Sequence, residues 1–109
     1  NANGQTLLDT LKKGVYGYCG VMANFHPELY VRLMKSDWDS KEAALLQDYL
    51  GLSSHLEALT YPCCAKYYLN DIVGIPMETY SRANDQKNLT DYQKHCIRQM
   101  GEMSDILFK

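Results

Sequence analysis

The chain lacks any long apolar run. None approaches the ~20 residues that a helix needs to cross a membrane, so no transmembrane helix is expected. It also lacks a basic excess. Eleven Lys and Arg stand against thirteen Asp and Glu, a formal net charge of -2, which leaves no electrostatic footprint for nucleic acid. No Cys-x-x-Cys pair occurs among Cys19, Cys63, Cys64 and Cys96. That pattern favours buried thiols in a cytosolic protein over a disulfide framework. His26, His55 and His95 are far apart and show no metal-ligand spacing. There is no internal repeat, no low-complexity stretch and no linker rich in Gly, Ser or Pro. No signal-peptide pattern is visible. Asn88-Leu89-Thr90 matches a glycosylation acceptor, which carries little weight without a secretory context. Asn1-Ala2 fits an expression scar or a piece of a longer protein. The 109 residues suffice for one modest core but fall short of the roughly 200 that an eight-stranded barrel needs.

What is present is mostly helical periodicity. A first helix is expected over residues 5–13, with Asn3 as its cap, Leu7, Leu8 and Leu11 as its apolar stripe and Gly14 as its stop. A second begins at Pro27, which needs no amide donor in a first turn, and ends near Lys35. Leu29 and Leu33 face inward, with Tyr30 and Met34 beside them. Asp39 or Ser40 caps a third helix over 41–59, whose stripe is Ala44, Leu45, Leu52, Leu56 and Leu59. Gly51 is placed to bend it. Pro62 opens a fourth helix through Tyr68, Leu69, Ile72 and Val73, which Gly74 closes and Pro76 confirms. Tyr61, Tyr67 and Tyr68 around it read as helix packing or a subunit contact. Residues 75–87 read as an irregular connection. Thr90 and Gln93 form a capping box for the last helix, where Cys96, Met100, Met103 and Leu107 give a packing stripe.

One stretch departs from this pattern. Residues 16–22 are short, apolar and glycine-containing, and read as a single strand ending at Ala23-Asn24. A lone strand needs partners from elsewhere, either a missing part of a larger chain or another copy. Functional residues of α/β proteins gather where such strands end.

The run Gly17-Tyr18-Cys19-Gly20-Val21-Met22-Ala23-Asn24 resembles the eighth-strand region of the dihydrodipicolinate synthase and N-acetylneuraminate lyase family. Residues 62–82, with Lys66, Gly74-Ile75 and Arg82, resemble the helix that follows in that family, although Ala83-Asn84 stands where an x-Pro pair is usual. The resemblance implies an α/β TIM-barrel family and only its C-terminal fragment. It places the last barrel strand and its flanking helices in residues 1–35, and a helical region in 36–109. The family's enzymes are carbon–carbon lyases and aldolases that join a lysine to pyruvate or a related 2-keto acid as a Schiff base. The Schiff-base lysine, the glycine-rich carboxylate loop and the proton-relaying tyrosine belong to earlier strands and are not in this chain. It is therefore expected to be inactive alone, with no catalytic residue, metal or cofactor.

By position, the resemblance implies substrate-side roles for Cys19, Val21 and Asn24. Gly4 and Gln5 fall where some members carry acidic residues, and neither is acidic. Val21 stands where sugar-acid lyases carry a serine, so a sugar-acid substrate is disfavoured. Each position also has a plainer reading: Cys19 as a small filler, Val21 as barrel packing and Asn24 as a turn residue. Lys12 and Lys66 fall on helices and read as solvated. His26 reads as a cap or surface residue at a helix start.

Two functions follow. One is the C-terminal part of a pyruvate-dependent Schiff-base aldolase, cytoplasmic and homo-oligomeric, with no nucleic-acid or membrane partner. The other is a small helical protein-interaction module without catalysis, which accounts for the amphipathic helices but not for a strand.

Overall fold

Polar caps and glycine stops set the helix boundaries in the computed structural model, which describes residues 1–82 and 89–109. The described helices are α1 (Leu7–Lys12), α2 (Pro27–Lys35), α3 (Lys41–Ser53), α4 (Cys63–Tyr67) and α5 (Asp91–Phe108). Short 3-10 turns lie at Gly4–Thr6, Val21–Asn24 and Ser54–Ala58, and a π-helical stretch, Tyr68–Val73, continues α4. The chain divides into two compact units, Asn1–His55 and Leu56–Lys109.

No β-strand occurs among the described residues. The expected strand over 16–22 is not formed, and the α/β TIM-barrel fragment gives way to a helical fold. Residues 15–20 have no regular structure, and Val21–Asn24 wind into a 3-10 turn. Local bonds explain this. The amide of Ala23 donates to Gly20 O at 3.1 Å, and that of Phe25 to Met22 O at 3.0 Å. The Asn1 ammonium donates to Gly17 O at 3.0 Å, and the Cys19 amide to Asn1 O at 2.8 Å. Backbone groups that a strand would offer to a neighbour are thus met nearby. Periodicity alone does not separate a short buried strand from a short helical turn.

In the first unit, Asn3 caps as expected, its side chain accepting the Gln5 amide at 2.9 Å. Gly14 ends the turn after α1 at φ 92°, a left-handed conformation that suits glycine. Leu7 and Leu11 are buried. Helix α2 has the expected bounds and buries Leu29, Tyr30 and Leu33. Ser40 caps α3 by accepting the Ala43 amide at 3.1 Å. That helix is shorter than expected, ending at Ser53, and its buried side is different. Ala43, Leu46, Tyr49, Leu50, Gly51 and Ser53 face inward, while Ala44, Leu45 and Leu52 are exposed. The apolar residues supply two overlapping periodic stripes, and contacts with α1 and α2 select the one that carries Tyr49.

In the second unit, α4 buries Cys63, Cys64, Ala65 and Tyr67. Gly74 closes the π-helical stretch at φ 89°. The capping box of α5 is complete: the Gln93 amide donates to Thr90 Oγ1 at 3.1 Å and the Thr90 amide to Gln93 Oε1 at 3.0 Å. Helix α5 buries Ile97, Met100, Gly101 and Ser104. Of the expected stripe only Met100 is buried; Cys96 is half-buried, and Met103 and Leu107 are exposed. Residues 75–81 have no regular structure, as expected. Residues 83–88, which include Ala83-Asn84 and the Asn88 of the acceptor sequence, lie outside the described residues. No helix among the described residues is long and apolar enough to cross a membrane.

Gly101 sets the fit of α5. A Cβ there would lie 2.8 Å from Ile72 Cγ2 and 3.5 Å from Tyr68 Cε2. Ile72 Cγ2 sits on a branched stem with little freedom to retreat. Overpacking costs about 1–3 kcal/mol and the helix-propensity gain of Gly→Ala is about 1 kcal/mol. Gly101→Ala is therefore expected to destabilise by about 1 kcal/mol. Urea unfolding checks this, and a stabilised variant would rule out the close approach.

Candidate functional site

The residues assigned substrate-side roles lie on one short segment. Cys19 is exposed in the irregular stretch, Val21 opens the 3-10 turn half-buried, and Asn24 ends it exposed. Gly4 and Gln5 belong to the first 3-10 turn and its contact with α3. Gln5 Nε2 donates to Gly51 O at 2.7 Å, and Gln47 Nε2 donates to Gly4 O at 2.7 Å. Gly51 leaves room for the Gln5 amide, which a Cβ would approach to 2.6 Å.

Beneath this segment lies a cluster that the sequence reading missed. His26 is not a surface cap but fully buried. Its ring is 6.5 Å from that of Phe25, 5.7 Å from Tyr30 and 5.9 Å from Tyr49, each tilted by roughly half a right angle. Tyr18 also stacks on Tyr30, with ring centroids 4.2 Å apart and planes 6° from parallel. The 3-10 turn and the start of α2 swing Phe25 and His26 inward, and α3 brings Tyr49 to meet them. The available signal was compositional: Tyr18, Phe25, Tyr30 and Tyr49 all fall in the first unit, and a histidine beside a buried aromatic packs as one of them.

Burial pushes the His26 pKa down to about 4, because the imidazolium would lose its water. The ring is neutral at neutral pH. Sealed among aromatic rings, it acts as a packing group whose protonation opposes folding.

Other reactive side chains are also committed to packing or pairing. Cys63 and Cys64 are buried, and desolvation raises the Cys64 thiol to about 11, far from nucleophilic thiolate. Lys12 pairs with Asp39 at 3.2 Å. Lys66 donates to Tyr80 O at 2.6 Å and lies 5.7 Å from the Tyr80 ring centre. The Tyr67 hydroxyl accepts from Arg98 Nη1 at 2.6 Å, and Lys94 lies 5.7 Å from its ring centre. Desolvation first, then Asp71, raises the Tyr67 pKa. Tyr67 and Tyr68 are buried packing residues, whereas Tyr61 is exposed. No group of three or more His, Cys, Asp or Glu converges on a metal-sized site among the described residues. No protein-family model matches the chain, and no curated protein or solved structure matches it significantly.

Two predictions follow from the buried ring cluster. The unfolded chain protonates His26 near pH 6.5, while the folded chain holds off to about pH 4. Between those values the unfolded state binds more protons, so stability falls as pH falls. The contribution is present in full above the unfolded pKa and amounts to about 3 kcal/mol. Urea midpoints should hold steady at neutral pH and drop through this window. His26→Leu should flatten the drop; equal slopes in both proteins would sink the assignment. Gly20 is the second test. A Cβ there would collide with the Tyr18 hydroxyl and lie 2.9 Å from Ala2 O. Gly20→Ala should break the Tyr18–Tyr30 stack and reduce the near-ultraviolet circular dichroism, and an unchanged spectrum would contradict it.

Proposed function

We propose that the chain is a small helical protein-interaction module without catalysis of its own, and that the solvent-facing side of α5 is its binding face. One observation carries this reading. Helix α5 runs for 18 residues and buries one side of itself, yet several large apolar residues stand exposed on it. Tyr92 is 75% exposed, Met103 47% and Ile106 76%, with Leu107 beside them. Extended apolar stripes on a helix are a common means of docking into another protein.

Cytoplasmic location and self-association are parts of the same proposal. The aldolase reading, with pyruvate or a related 2-keto acid as partner, rests on residue resemblance. It requires a paired strand over 16–22, where residues 16–20 have no regular structure and Val21–Asn24 form a 3-10 turn.

A photoreactive benzophenone side chain placed at position 106 tests the binding face in cells. Discrete covalent adducts are expected from position 106 and none from position 48, which is exposed on α3. Absence of adducts at 106, or equal labelling from both sites, would remove the reading.

A further inference from the structure

We infer that the partner on this face is a second copy of the same chain, with its α5 antiparallel to the first; this rests on α5 being the binding face. The outer side of the helix carries Tyr92, Cys96, Gln99, Met103 and Ile106. Their spacings are four, three, four and three, an average of 3.5 residues, which is the repeat of a two-helix seam. Every one of these positions is exposed or half-buried. The seam runs most of the length of a helix about 27 Å long.

Antiparallel packing sets alternate seam positions against each other in layers. Two registers pair four of the five positions, and the one that brings His95 beside the partner's Glu102 sets Tyr92 against the partner's Met103 and Cys96 against the partner's Gln99, with Ile106 beyond the paired layers. A two-fold axis repeats each contact, so the surface is self-complementary. The Tyr–Met layers gain the favourable contact of a thioether with an aromatic ring. Gln99, the polar member, falls near the centre, where it opposes a small thiol at both symmetry-related layers.

Charge decides the direction. Glu102 and His95 border the seam on the same side, seven residues apart, and both are exposed. In the antiparallel arrangement Glu102 lies beside the partner's His95, whose ring N–H can donate to the carboxylate. In a parallel arrangement Glu102 would lie beside the partner's Leu107, losing water with no compensating donor. Lys109 is already engaged with Asp105 of its own helix at 2.8 Å, so it does not supply the missing charge.

Sedimentation equilibrium of the full chain tests the assignment. The mass should rise with concentration towards twice 12.5 kDa. Tyr92→Glu should weaken the dimer roughly tenfold or more with unchanged helical circular dichroism, because Tyr92 lies largely outside the monomer core. Direction is read by disulfide trapping in a Cys19→Ser, Cys96→Ala background. Tyr92→Cys and Met103→Cys chains should cross-link when mixed, and neither should cross-link alone. A chain that stays monomeric to millimolar concentration overturns the inference, as does a dimer indifferent to Tyr92→Glu or cross-linking of either variant by itself. A monomer whose position 106 labels a different protein overturns the second copy while leaving the interaction module standing. A monomer with no adduct at 106 removes both.

Discussion

The first unit depends on a close approach between the turn at Gly4 and helix α3. Gly4 is buried, and a Cβ there would lie 3.3 Å from the Tyr30 hydroxyl and 3.6 Å from Leu50 O. Two glutamines close the contact from opposite sides. The Gln47 side chain donates to Gly4 O at 2.7 Å and accepts the Leu8 amide at 2.7 Å. That second bond satisfies one of the amides that open a helix without an internal partner. Gln5 returns the contact by donating to Gly51 O. Bonds between such half-buried groups are modest singly, but together they fix the entry of α1 and so the inward aim of Leu7 and Leu11.

The same approach extends into the aromatic cluster. The space left by Gly4 lets Tyr30 reach the turn, and Tyr30 then offers one ring neighbour to Tyr18 and another to His26. Tyr18 in turn needs Gly20 bare. Residues 17–26 are therefore shaped by ring packing against α2 rather than by hydrogen bonding to a neighbouring strand. This is why glycines that suggested a crowded barrel strand serve a different purpose. Gly20 yields space to a tyrosine of its own segment, Gly4 to Tyr30 of α2, and Gly51 to Gln5 of the first turn.

Much of the fold was legible wherever one residue type has one local job. Asn3, Ser40 and Thr90 cap, Gly14 and Gly74 stop, and Pro27 starts a helix, because each acts through its own backbone or an amide three residues away. Helix faces were less legible. In α3 and α5 the apolar residues cover more than one face, and the buried face is chosen by partners distant in sequence. For α3 the partner is the Gly4 turn with α1 and α2; for α5 it is Ile72 and Tyr68, which pack closely on Gly101. The strand expectation failed for a related reason. A short run of apolar residues and glycines carries no information about whether its backbone groups will find a neighbouring strand or their own turn.

The site was the least legible part. Cys19, Val21 and Asn24 took their proposed roles from a resemblance that presupposed a barrel, and a barrel strand aims alternate side chains at a shared centre. A 3-10 turn does not: Val21 and Asn24, three apart, fall on the same side of it, while Cys19 lies before it begins. With the period changed, the geometric reason for grouping Cys19 with Val21 is gone, as is the strand end that placed Asn24. The excess of apolar residues on α5 has the opposite character. It was visible in the sequence, but read as core because one helix was credited with one apolar face. Burial of Ile97, Met100, Gly101 and Ser104 accounts for one face, and the remainder is more apolar than solvent exposure alone requires. The large apolar residues that α5 leaves exposed beside its filled face are the surface that the proposed partner would cover.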